Sequence, residues 1–214
     1  MRHIVIDTET TGLDVARDRI VEVGAVELVD LSPRRSFHAY YNPGIPVPAE
    51  ATAVHGLTNE FLAAYPAFTP GQLLEFLGDA PLIAHNAGFD VGILNAELTA
   101  AGGDPLPNEV IDSLALARAK HPGAPASLDA LCRRCGISTA QRTKHGALLD
   151  AELLAAVYVE LVGRQATMDL TVETVQAIDV GALAVRPVPL PPRLTAAEMA
   201  AHAAMMADTA SRHI

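Results

Sequence analysis

Two carboxylates, Asp7 and Glu9, follow an apolar, β-branched run, Ile4-Val5-Ile6, near the start of the chain. On a strand, residues two apart share a face, so both acids project the same way. Side-by-side carboxylates repel, and each resists leaving water. A divalent cation relieves both problems, and an oxygen-only donor set suits a hard ion such as Mg²⁺ or Mn²⁺. A solvated strand end leading into the Thr10-Thr11-Gly12 turn accounts for the same pair without a metal. Two further acids fall at helix starts. Asp90 closes His85-Asn86-Ala87-Gly88-Phe89-Asp90, in the first turn of a helix that follows a buried strand. Asp150 closes Lys144-His145-Gly146-Ala147-Leu148-Leu149-Asp150, in an otherwise apolar run that points it toward a cleft, with His145 on the loop before it. Each alone reads first as an acid favoured by a helix dipole.

The elements that must position these residues follow from the pattern. After the opening strand, Ile20–Val29 and Ser36–Tyr41 read as strands with short connections, an antiparallel meander. Short helices are predicted over Ala49–Val54, over Asn59–Ala64 capped by Thr58, and from Thr69-Pro70 through Leu77. Pro81–Asn86 reads as a buried strand, Ala87–Ala101 as a helix stopped by Gly102-Gly103, and Val110–Asp112 as a short strand. Helices near Leu114–Ala119, Leu128–Cys135 and Ala147–Val162 complete the domain. The fold class is α/β, a mixed sheet flanked by helices.

A net charge of −10 argues against a general nucleic-acid scavenger, which would carry a basic stripe, but not against a nuclease whose acids ligate metal. Such an enzyme binds substrate weakly and profits from a tether. Half of the 214 residues are hydrophobic, yet no stretch is long and apolar enough to span a bilayer, so no membrane role is expected. The strand pattern begins within three residues of the start, which predicts no signal peptide and a cytoplasmic location. Cys132 and Cys135 read as reduced cysteines on a helix rather than as a zinc site.

Taken together, the three motifs Asp7-Thr8-Glu9-Thr10-Thr11-Gly12, His85 to Asp90 and His145 to Asp150 resemble, in order and spacing, those of the DEDD exonucleases, in the branch that uses a histidine. The similarity continues through Val54-His55-Gly56-Leu57, Asp112 to Arg118 and Ser127 to Cys132, and covers about residues 1–164. Within the family, the chain looks like the proofreading exonucleases of bacterial replicases. The resemblance implies a ribonuclease-H-like mixed five-stranded sheet in the order 3-2-1-4-5, with strand 2 antiparallel to its neighbours. It implies two Mg²⁺ or Mn²⁺ ions held by Asp7, Glu9, Asp90 and Asp150, about 3.5–4 Å apart, with His145 as general base. It also implies that Leu13, Val54, His55 and Phe89 flank the terminal nucleotide, Asp7, Glu9, His145 and Asp150 contacting substrate as well. The expected substrate is the single-stranded 3′ end of DNA. The acids alone do not separate DNA from RNA, so an RNA-trimming exoribonuclease remains open. A non-catalytic scaffold is disfavoured because all five chemical positions are intact.

The tail divides at residue 164. Residues 165–194 read as a linker in a flexible tail, ending in the Pro-rich run Arg186–Arg193, which is expected to act as a semi-rigid spacer. Its start, Gln165-Ala166-Thr167-Met168-Asp169-Leu170, is similar to sliding-clamp-binding peptides, with Gln165, Met168 and Leu170 as the contacting residues. Residues 195–214 open with a capping box, Thr195-Ala196-Ala197-Glu198, and resemble a segment that binds the polymerase (alpha) subunit.

Overall fold

The computed structural model describes residues 1–142 and 144–166, with Ala197 and Ala200 beyond them. Its strands are β1 (Arg2–Thr10), β2 (Ile20–Val29), β3 (Ser32–Tyr40), β4 (Leu82–Ala84) and β5 (Val110–Asp112). Its helices are α1 (Ala49–His55), α2 (Asn59–Leu62), α3 (Gly71–Leu77), α4 (Ala87–Ala100), α5 (Ser113–Lys120), α6 (Leu128–Cys135) and α7 (Ala147–Ala166). The chain divides into two units, Met1–Leu170 and Thr171–Ile214. Of the second, the described residues Ala197 and Ala200 are helical.

The strands form one sheet in the order β3-β2-β1-β4-β5. β2 runs antiparallel to both β1 and β3, while β4 is parallel to β1 and β5. This is the expected mixed topology. β1 lies at the centre with helices on both faces, which is why Ile4, Val5 and Ile6 are apolar in succession and fully buried. Val5 packs with Leu131, Leu154 and Val157 from α6 and α7. Ile4 and Ile6 pack the other way, with Leu73, Leu77, Ile93 and Leu94 from α3 and α4. Each such side chain contributes about 1.5–3 kcal/mol relative to exposure.

Several boundaries differ from expectation. The third strand starts at Ser32, not Ser36, and ends at Tyr40. Its first half, Ser32-Pro33-Arg34-Arg35, is an exposed edge with no apolar alternation to announce it. The turn before it places Asp30 and Leu31 at φ 50 and 61, a tight hairpin geometry made without glycine. β4 is shorter than Pro81–Asn86, because Asn86 turns into the left-handed region (φ 72) to launch α4. Asp112 ends β5 and caps α5, its carboxylate accepting from the Leu114 N–H at 2.9 Å. Pro70, not Thr69, precedes α3, with no side-chain cap. Thr58 does cap α2, accepting from the Phe61 N–H. α7 continues through Ala166, so Gln165 belongs to a helix instead of following one. Met168, Leu170 and the expectations for 171–214, apart from helical Ala197 and Ala200, lie outside the described residues. Cys132 and Cys135 sit on α6 as thiols. Among the described residues, no helix is long and apolar enough to cross a membrane.

Candidate active site

Parallel strands β1 and β4 present their C-terminal ends at one edge of the sheet, where open α/β sheets gather ligands. Asp7 and Glu9 lie near that end of β1. α4 begins just after β4 and carries Asp90 in its first turn. α7 begins at the same edge and carries Asp150 in its first turn. A close backbone approach makes this possible. Gly24 pairs with Asp7 across β1 and β2, and a Cβ there would fall 2.2 Å from the Leu148 nitrogen. The first turn of α7 thus rests on bare strand backbone. Asp7, Glu9, Asp90, Asp150, His145 and Phe89 all line one cavity of about 290 Å³.

The charges in this cavity are poorly compensated. Burial, then Asp90, Glu9 and Asp150, raise the Asp7 pKa well above the ordinary value, against an opposing pull from Arg142. Burial and then Glu22, which pairs with Glu9 across the strands, push Glu9 up to about 8. Burial pushes Asp90 up to about 6, although the Thr8 N–H and hydroxyl both donate to its carboxylate, at 3.1 and 2.8 Å. Ligand atoms of Glu9, His145 and Asp150 lie within 4.8 Å of one another. Clustered carboxylates whose ionisation is opposed, with no thiolate in the cavity wall, make a donor set that fits a hard divalent cation.

A second cavity, about 490 Å³, adjoins the first through Glu9, which lines both. Leu13, Val54 and His55 line it, so three of the four residues expected around the terminal nucleotide meet here. Phe89 instead lines the acid cavity. Leu13 is 85% exposed and Val54 47%, so neither serves the core. His55 is buried, and its Nδ1 accepts from the Leu57 N–H at 3.0 Å. Burial lowers its pKa, partly opposed by the Thr10 backbone, and keeps the ring neutral near pH 7.

Sequence reasoning missed four participants. Glu50 lines the second cavity, and Thr8 anchors Asp90. Arg142 and Asp129 form an ion pair in the wall of the first cavity. Only Arg142 carried a readable signal, a cation three residues before His145 and eight before a buried acid.

The sequence matches the family described as exonuclease over residues 4–158. The chain belongs to the exonuclease family. This exonuclease is 45% identical to the DNA polymerase III subunit epsilon of Rickettsia felis, over 81% of each chain. It is 42% identical to the protein of that name from Escherichia coli K12, over 80% of this chain and 76% of the relative. Among solved structures it resembles exonuclease X in complex with 5′ overhanging duplex DNA, with a TM-score of 0.63 and 26% identity, over 77% of this chain and 93% of that one. The nuclease domain of 3′hExo, a DEDDh family member bound to rAMP, shares the fold at a TM-score of 0.63 and 18% identity, over 76% and 92%. Together these relatives support a proofreading 3′–5′ exonuclease of ribonuclease-H-like fold, in a family that depends on metal.

Proposed function

We propose that the exonuclease removes mismatched nucleotides from the single-stranded 3′ end of DNA, as the epsilon subunit of a DNA polymerase III replicase in the cytoplasm. The observation that carries the chemistry is the convergence of Asp7, Glu9, Asp90, Asp150 and His145 on one cavity. The four acids would hold two Mg²⁺ or Mn²⁺ ions, which supply Lewis acidity at the scissile phosphate and charge to offset the leaving 3′ oxygen. His145, half-exposed at the cavity mouth, takes the proton from the attacking water. Attack at phosphorus breaks the bond to the 3′ oxygen and releases a nucleoside 5′-monophosphate. Leu13, Val54 and Phe89 offer apolar walls to base and sugar. Such walls tolerate any base, as an enzyme that must excise any nucleotide requires. Neutral His55 lies beside them as a polar contact.

The tail would supply the tether. The chain beyond α7 up to residue 194 acts as a linker, and Gln165, at the end of α7, binds the sliding clamp together with Met168 and Leu170. Residues 195–214 bind the polymerase III alpha subunit. Tethering raises the local concentration of a DNA end to roughly millimolar, which compensates for repulsion by a chain of net charge −10. The test is degradation of matched single-stranded DNA and RNA oligomers by wild type and His145→Ala, with Mg²⁺, Mn²⁺ or chelator. The expected result is metal-dependent release of 3′ nucleotides from DNA, slowed roughly 10²–10⁴-fold by the substitution, with an unchanged circular dichroism spectrum. Near wild-type turnover in His145→Ala removes the base assignment. Preference for RNA moves the protein to RNA turnover.

A further inference from the structure

Arg142 stands where the site reading has no role for it. Its side chain is 9% exposed and lies in the wall of the acid cavity. The guanidinium meets Asp150 side-on, Nε donating to Oδ1 at 2.5 Å and Nη2 to Oδ2 at 2.6 Å. The same Nη2 donates to Nδ1 of His145 at 2.9 Å, and Nη1 donates to Asp129 at 2.6 Å. One planar group therefore fastens a proposed metal ligand to the proposed base.

Two consequences follow from the chemistry of the groups. Arginine has donors only, so in its bond to Nη2 the Nδ1 of His145 accepts and the neutral ring carries its proton on Nε2; the same Nδ1 lies 3.2 Å from Asp150 Oδ2, an acceptor it can donate to only once the arginine has left. A ring so arranged has no lone pair left with which to take a proton from water. Meanwhile a divalent cation drawn to Asp150 meets a fixed positive charge already bonded to both carboxylate oxygens. The observed arrangement is thus closed to the reaction at both residues. A way out is built in. Asp129, in the first turn of α6, is about half-exposed and holds the opposite edge of the guanidinium. Nε and Nη2 can let go of Asp150 and His145 while Nη1 stays paired at the cavity mouth.

We propose that Arg142 is a latch on this site. It pairs with Asp150 and His145 at rest, competes with a divalent cation for Asp150, and on release frees the imidazole to act as base. The proposal rests on reading the four acids as a cation site, and its test separates the two ideas. Mn²⁺ binding to the full chain is measured by calorimetry for wild type, Asp150→Asn, Arg142→Ala and Arg142→Lys. The latch predicts weaker binding for Asp150→Asn and about tenfold tighter binding for Arg142→Ala, a factor of the size expected when a charge-assisted pair no longer has to be broken first. Arg142→Lys keeps the charge but not the fork, so it too binds more tightly than wild type. A general electrostatic effect of the arginine would leave Arg142→Lys unchanged, and a merely structural role would weaken binding in both variants. Either result overturns the latch. Failure of wild type to bind Mn²⁺, with no change in Asp150→Asn, overturns the cation site and the latch with it.

Nuclear magnetic resonance on wild type decides the matter even where a substitution unfolds the protein. The Arg142 Nε–H signal, protected by Asp150, should be lost to solvent exchange as Mg²⁺ is added, and His145 Nδ1 should lose its hydrogen-bonded shift. Signals that persist unchanged through saturation with Mg²⁺ overturn the latch.

Discussion

Glu9 bears the sharpest conflict between stability and use. In the metal-free protein it stays protonated up to about 8, whereas the unfolded chain ionises it near 4.5. Between those values the native state binds more protons, so stability falls as pH rises through the window. Glu9→Gln removes the titration and the repulsion from Glu22. In chelator at pH 8 this variant should melt at a higher temperature than wild type, with a flatter dependence on pH, while losing nuclease activity. A lower melting temperature would show that the Glu9 carboxylate stabilises the native protein. That such a residue was readable at all follows from strand geometry. The period of two put Asp7 and Glu9 on one face as soon as Ile4-Val5-Ile6 was taken for a buried strand. Arg142 could not be found this way. Its partners, Asp129 and Asp150, lie on two helices, and the one local hint is its place three residues before His145 and eight before Asp150.

At the scale of elements, the start of α7 decides where Asp150 sits, and the glycine beneath it decides how closely α7 approaches. Gly24→Ala places a methyl group 2.2 Å from the Leu148 nitrogen, far inside contact distance. No side-chain rotation relieves this, because the obstacle is backbone. Either α7 lifts or the strand bends. The expected result is a loss of about 1–3 kcal/mol in stability, read by denaturant unfolding, with turnover falling by more than the unfolded fraction explains. An unchanged rate per folded molecule would separate α7 placement from catalysis. The helices themselves were legible because their caps and glycine stops are written locally, as with Thr58 before α2 and Ser127 before α6, both of which accept backbone N–H groups. The edge strand β3 was half-hidden because exposure removes the apolar alternation by which strands are recognised.

At the scale of the molecule, charge is unevenly arranged among the described residues, with four cavity acids sharing the single arginine Arg142 and one acid outside the cavity held by two. Glu27 on β2 is buried and accepts from Arg2 and Arg35. Hydrogen bonds from Arg35, then Arg2, hold its pKa down to about 2 against an ordinary 4.5. A depressed pKa contributes stability that is fully present above pH 4.5 and lost as pH falls toward 2. Wild type should therefore exceed Glu27→Gln in stability by a constant margin above pH 4.5, and that margin should close near pH 2. A margin independent of pH would mean the arginines do not act through the ionised carboxylate. Opposite slopes from Glu9 and Glu27 bracket the metal-free protein between acid and alkaline losses.

The loop that bears His145 is hung from another part of the domain. The His145 N–H donates to the Val54 carbonyl at 3.2 Å, and Lys144 Nζ donates to the Ala53 carbonyl at 2.6 Å. Both bonds run into the last turn of α1, the helix whose Val54 and His55 wall the second cavity. On the proposed reading, in which His145 takes the proton and α1 walls the nucleotide, these two bonds would gear proton transfer to nucleotide seating. A paired or poorly seated 3′ end that left α1 displaced would then carry the imidazole out of line, and discrimination between ends would be exerted on the speed of hydrolysis as well as on the tightness of the grip.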